Sequence, residues 1–126
     1  MILGIGIDLC AIERIESAIE REYFLERVFT AAERERIRAA TGRRRGEIAA
    51  GLFAAKEAAA KALGTGFDGF GPWDIGIAPD EHGRPVCTLT GPARARAVSL
   101  AGDGFRMHVS VTHESGMAAA TAILEG

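Results

Sequence analysis

The sequence predicts an α+β chain in which a largely antiparallel sheet packs against one long helix. Period-two and period-3.6 stretches follow one another in the order β-α-α-α-β-β-α-β-β. Two pairs of strand-like segments are joined by short turns, Pro79-Asp80-Glu81-His82-Gly83 and His113-Glu114-Ser115-Gly116, as in hairpins. The segment 47–63 is rich in Ala, Lys and Glu, all strong helix formers, and is the longest such run.

Each element has its own warrant. In 2–9, Leu3, Ile5, Ile7 and Leu9 alternate with Gly4, Gly6 and Asp8, a strand with one apolar face. Two glycines on the other face imply close approach by another backbone. Ile12, Ile15 and Ile19 recur at helical spacing and predict a helix over 11–22. Phe24, Leu25, Val28 and Phe29 form an apolar cluster after it. Thr30-Ala31-Ala32-Glu33 has the spacing of a capping box, so a short helix starts there and ends near Thr41-Gly42. Arg43-Arg44-Arg45-Gly46 reads as a basic connection into the long helix, which Gly64 stops in the left-handed conformation. After a Gly-rich loop over 66–72, strands are expected at 73–78 and 86–90. Gly91-Pro92 opens a helix to about Leu100. The segment 105–112 alternates with Phe105, Met107, Val109 and Val111 inward and Arg106, His108, Ser110 and Thr112 outward. The last strand, 117–124, is nearly all apolar.

Bulk properties narrow the function. The 126 residues, 48% hydrophobic, make one domain over 1–126 with a real but small core, which subunit contacts would help. Sixteen glycines and only 6% aromatics point to tight backbone packing. A net charge of −2 creates no global field for nucleic acid or membrane, and no apolar run approaches the ~20 residues of a membrane span. Cys10 and Cys87 lie in apolar settings without metal or redox spacing and read as reduced thiols. The expected location is cytoplasmic.

Three groups of residues could do chemistry. Asp8 ends the first strand on its glycine face; a helix cap is its other reading. Glu57 and Lys61 are four apart and share one face of the long helix. Such a pair is often a solvated ion pair, but its alanine-rich surroundings imply burial, and buried charges need partners. A hard cation such as Mg²⁺ is bound by one or two carboxylates plus phosphate and water, which Asp8 and Glu57 would supply, with Lys61 one turn on for a phosphate oxygen. His108 shares its strand face with Ser110 and Thr112; a lone histidine on a strand is more often structural than catalytic. No nucleophile-elbow, P-loop or dinucleotide motif is present. Arg14 and Arg21, seven apart on the first helix, read singly as a solvated face; together with Arg27 and Arg43–Arg45, and with few opposite charges other than Glu13, Glu16, Glu20 and Glu22, they leave an acidic protein partner open.

Ile5-Gly6-Ile7-Asp8-Leu9, Phe53-Ala54-Ala55-Lys56-Glu57-Ala58 and Lys61-Ala62-Leu63-Gly64-Thr65-Gly66 together resemble the holo-[acyl-carrier-protein] synthase family, the short class of 4′-phosphopantetheinyl transferases. Trp73-Asp74-Ile75, Gly83-Arg84-Pro85 and the run His108 to His113 extend the match along nearly the whole chain. The resemblance implies a trimeric enzyme of fatty acid biosynthesis with sites between neighbours, coenzyme A as donor and a serine of apo acyl carrier protein as acceptor. It implies Mg²⁺ on Asp8 and Glu57, and Lys61 on phosphate. Gly64, His108 and Thr112 are expected near coenzyme A, Gly83-Arg84-Pro85 at its adenine end, and Arg14 and Arg21 against the carrier protein. Glu57, directly or through a water, is the candidate acceptor of the serine proton. One departure stands out: Leu52 occupies a position where many relatives carry an arginine near the nucleotide phosphates, and Arg44 or Arg45 are candidates to replace it. Two rivals use the same residues, a metal-dependent nucleotide diphosphate phosphohydrolase and a non-catalytic coenzyme A-binding module.

Overall fold

A computed structural model describes all residues, 1–126. The strands are β1 (Ile2–Ala11), β2 (Ile75–Pro79), β3 (Pro85–Leu89), β4 (Arg106–Glu114) and β5 (Met117–Glu125). The helices are α1 (Ile12–Ala18), α2 (Glu22–Val28), α3 (Ala31–Ala39), α4 (Arg43–Ala62) and α5 (Gly91–Ala101), with a 3-10 turn at Pro72–Asp74. All pairings are antiparallel: a three-stranded sheet β1-β5-β4 and a separate hairpin β2-β3. The expected α+β class and antiparallel sheet are therefore present. No helix is long and apolar enough to cross a membrane.

The long helix is the centre of the packing, and its composition explains why. Ala54, Ala55, Ala58, Ala59, Ala60 and Ala62 are buried, so α4 presents a smooth surface that lets other backbones come close. Strand β1 exploits it. A Cβ built on Gly4 would lie 1.8 Å from the Ala62 carbonyl oxygen, and one on Gly6 1.8 Å from that of Ala58. No side chain fits there, which is the close approach the two glycines predict. Gly6→Ala should cost about 3 kcal/mol, because neither backbone can move aside cheaply; a urea melt at unchanged m-value would read this as a lowered midpoint.

The same packing turns β1 over. Its glycine face is the inner one, and its apolar face points away: Ile5, Ile7 and Leu9 are 69%, 64% and 63% exposed. Register aligns Ile5 with Ile123, Ile7 with Thr121 and Leu9 with Ala119 on β5. These in turn align with His108, Ser110 and Thr112 on β4. The outer face of the sheet is thus apolar along β1 and polar along β4. On β4 the expected alternation holds, with Met107 buried, Val109 and Val111 half-buried, and Arg106, His108, Ser110 and Thr112 exposed.

Several boundaries differ from the sequence reading; β1 runs to Ala11, and β4 to Glu114 through two residues expected in the turn. The helix expected over 11–22 ends at Ala18, and α2 begins at Glu22. Continuing the stripe of Ile12, Ile15 and Ile19 would have buried Glu22 and Glu26. The chain turns instead, through tight bonds from Glu20 and Arg21 to Ser17 and Ala18, and brings Leu25, Val28 and Phe29 into the core. Helix α4 begins at Arg43 rather than residue 47: Gly42, at φ 57, reverses the chain, and the three arginines form the first turn. Trp73 belongs to the 3-10 turn, so β2 starts at Ile75.

The capping box at Thr30 and Glu33 is formed on both sides. Glu33 does more than cap. It is buried against Lys56, whose Nζ lies 2.7 Å from Glu33 Oε1, both side chains being at most 2% exposed. Burial pushes the Lys56 ammonium pKa down, and the Glu33 charge opposes that shift.

Candidate functional site

Strand β1 and helix α4 bring the three central residues together. Asp8 follows Gly4 and Gly6 on the inner face of β1 and so ends over α4. Glu57 and Lys61 project from α4 on one side, as a four-residue spacing requires. Lys61 Nζ donates to the Ile7 carbonyl at 2.9 Å and to Asp8 Oδ1 at 3.4 Å. Its place in the last turn of α4 also suits the negative end of the helix dipole. Asp8 does not cap α1, whose N-cap is Ala11 without a side-chain bond.

The electrostatics are those of two neighbouring carboxylates whose repulsion Lys61 and Arg14 offset only in part. The Glu57 carboxyl pKa is held above its usual range, first by burial and then by the Asp8 charge, against the pull of Lys61 and Arg14. The Cys10 thiol, on the same strand face, is pushed up by burial and by Asp8, with Arg14 opposing. It points into the core, toward the Ala50 carbonyl 3.6 Å away. Cys10 is buried, Cys87 half-buried and held at about 12 by desolvation, and both are free thiols.

Two mutually repelling carboxylates fit a shared hard cation. No group of three or more His, Cys, Asp or Glu side chains converges as a metal site. The ion would therefore complete its shell with water and ligand oxygens, the usual arrangement for Mg²⁺ and a poor one for zinc.

The largest concavity lies beside the carboxylates. A groove of ≈ 790 Å³ runs along α1, lined by Arg14, Arg21, Phe24 and Phe53 among others. The Arg14 guanidinium sits 5.6 Å from the Phe53 ring centroid and also bears on Glu57, so it joins the groove to the carboxylate pair. Nearby, Arg27 stands between the rings of Tyr23 and Trp73, 5.4 and 5.7 Å from their centroids.

A second cavity, ≈ 220 Å³, brings Leu52, Gly83, Pro85, Arg36, Arg44 and His113 together. Leu52 is 4% exposed, an apolar wall at this point. Of the two arginines considered as its replacement, Arg44 reaches the cavity, whereas Arg45 Nε donates to the Ala40 carbonyl at 3.0 Å. Arg84 turns aside toward Asp80, Nε to Oδ2 3.2 Å, and is 78% exposed. Gly83 takes φ +83 in the hairpin turn, and Gly64 takes φ +84 just past α4, where only glycine is unstrained.

His108 and Thr112 are not with the triad. Both lie on the outer sheet face, opposite Asp8 and Glu57. His108 Nε2 is 2.9 Å from Glu125 Oε1, and that bond, with Arg106, holds the Glu125 carboxyl below its usual range. Within one chain the expected site is thus divided by the sheet. The sequence reading passed over Lys56 and Arg36. A lysine beside Glu57 in an alanine-rich run was the available signal for the first.

Comparison with known proteins agrees in family. Residues 4–120 match the model of the 4′-phosphopantetheinyl transferase superfamily. The chain is 48% identical over 129 residues to the holo-[acyl-carrier-protein] synthase of Solidesulfovibrio magneticus, covering 100% of both. It is 46% identical over 126 residues to that of Clostridium novyi, covering 99% of this chain and 88% of the relative. Among solved structures, a Bacillus anthracis holo-(acyl-carrier-protein) synthase in complex with CoA (3′,5′-ADP) superposes with TM-score 0.84 at 35% identity, over 100% of this chain and 98% of that one. The Helicobacter pylori enzyme in complex with coenzyme A gives 0.80 at 29% identity, over 96% and 99%.

Proposed function

The chain belongs to the 4′-phosphopantetheinyl transferase superfamily, and on that premise we propose that it transfers the 4′-phosphopantetheine arm of coenzyme A to a serine of apo acyl carrier protein. The observation that carries the reading is the meeting of Asp8, Glu57 and Lys61 beside a cationic groove. The serine Oγ–P bond forms, the diphosphate P–O bond breaks, and its electron pair leaves on adenosine 3′,5′-bisphosphate. Asp8 and Glu57 are the residues that would hold Mg²⁺, which when bound supplies charge neutralisation at the diphosphate. Lys61, already held over Asp8, offers its remaining donor to a phosphate oxygen. Glu57, directly or through a water, takes the serine proton; burial, and after it the Asp8 charge, hold its carboxyl above the usual range.

The proposed assembly is a trimer with sites between neighbours. Two features support a shared site: an exposed apolar stripe, Ile5, Ile7 and Leu9, that a monomer would leave in water, and the position of His108 and Thr112 on that outer face. A neighbour seated there would bring its own His108 and Thr112 to the coenzyme A phosphates. Gly64, Gly83, Arg84 and Pro85 are proposed as further coenzyme A contacts.

Mass spectrometry of a carrier protein incubated with coenzyme A and Mg²⁺ tests the function. Transfer adds the pantetheine arm to the carrier; release of nucleotide products without that addition would favour a phosphohydrolase, and neither outcome a binding module.

The groove along α1 is the proposed carrier surface, since Arg14 and Arg21 are exposed and lie beside Phe24 and Phe53. Reversing both arginines to glutamate should raise the KM for carrier protein about tenfold or more, each 1.4 kcal/mol being tenfold, and leave that for coenzyme A unchanged. Steady-state kinetics in each substrate checks this; equal shifts in both constants would argue against docking there.

A further inference from the structure

Lys56 precedes Glu57 and serves no step above. Consecutive helical residues project about 100° apart, so the two point in different directions. Lys56 Nζ donates to Glu33 Oε1 at 2.7 Å, to the Pro72 carbonyl at 2.9 Å and to the Ile75 carbonyl at 2.5 Å. That uses all three ammonium protons. Glu33 Oε1 also accepts from Thr30 N at 2.8 Å, and Oε2 from Ile77 N at 2.7 Å. The knot joins α3, α4, the 3-10 turn and β2, and leaves neither charge free for a ligand.

A buried ion pair is a poor source of stability, since apolar replacements of similar volume often do as well. Geometry is its better-founded use. Helix α4 is gripped on one side by Gly4 and Gly6 of β1, against the carbonyls of Ala58 and Ala62. Lys56 grips it on another, and Glu57 lies on the flank between. At the roughly 5–6 Å radius of a helix with its side chains, a roll of about 10° moves a side-chain tip about 1 Å. A misplacement of that size can cost about a hundredfold in rate.

We infer that Lys56 and Glu33 are positioning residues, their buried knot fixing the roll of α4 so that the Glu57 carboxylate keeps its place near Asp8, the two being the residues that would hold the cation. This rests on the reading of Asp8 and Glu57 as a cation-holding pair.

The test is the double variant Glu33→Gln/Lys56→Met, which removes both charges together. In the intact protein with coenzyme A, Mn²⁺ affinity is read by electron paramagnetic resonance, alongside kcat and both KM values. Expected are a cooperative thermal melt, kcat lowered about a hundredfold, Mn²⁺ binding weakened about tenfold and an unchanged KM for carrier protein. A folded double variant with wild-type kcat and wild-type Mn²⁺ affinity would overturn the inference. Should the double variant not fold, Glu33→Gln alone keeps the two carbonyl bonds of Lys56 and is held to the same criterion. If the wild-type protein itself binds no Mn²⁺ and transfers without metal, the carboxylate reading fails, and this inference with it.

Discussion

Glu57→Gln should leave a folded protein that transfers at most about a hundredth as fast as the parent, a loss of ~2.7 kcal/mol in the barrier or more, while melting at a higher temperature at neutral pH. The two halves come from one cause. The folded state raises the Glu57 pKa through burial and the Asp8 charge, so the native protein holds this proton more tightly than the unfolded chain. Stability tied to the group is therefore present below the unfolded carboxylate pKa and is lost as pH rises through the folded one. At pH 7 the ionised side chain strains the fold, and glutamine relieves it. The variant should flatten the stability profile across that window. Added Mg²⁺ should raise the melting temperature of the parent, by binding the native state, and not that of the variant. Calorimetry with and without Mg²⁺, beside a single-turnover transfer assay, reads all of this. A variant that transfers at near the parental rate at saturating Mg²⁺ would remove Glu57 from the site.

How much of this was readable from the sequence depends on which physical force places each residue. Period-two and helical patterns placed the elements because burial selects for them locally. Gly4 and Gly6 announced a close backbone neighbour, since little else explains two glycines on one strand face; that the neighbour is the Ala58–Ala62 stretch of α4 required the fold. Asp8, Glu57 and Lys61 were legible for the same reason: carboxylates and an amine among alanines need a ligand or one another. Lys56 was not, because its partner Glu33 lies 23 positions earlier in the chain and already had a sufficient local explanation as a capping residue. The break between α1 and α2 was missed because the cost of burying Glu22 and Glu26 appears only when the helix must lie on a core.

The separation of His108 and Thr112 from Asp8 and Glu57 has the same root and leads to the second large effect. A strand alternation tells which residues share a face, not whether that face meets the chain's own core or another chain. On β1 the core side is taken by glycines, so Ile5, Ile7 and Leu9 need a different cover. Ile7→Asp should fold, because a side chain that is 64% exposed has little intrachain packing to lose. It should not assemble, because a carboxylate would be buried without a partner at the contact. Sedimentation velocity should then find a monomer, and transfer should fall at least about a hundredfold with both carboxylates intact. A monomeric Ile7→Asp protein with full activity would mean that one chain contains the whole site. Mixing decides which residues cross. Glu57→Gln and His108→Ala preparations, each impaired, should regain activity when dissociated and reassembled together, because a site with the carboxylates of one parent and the histidine of the other is whole; random assortment makes roughly a quarter of sites of that kind. If each site drew Glu57 and His108 from the same chain, no mixture could restore it.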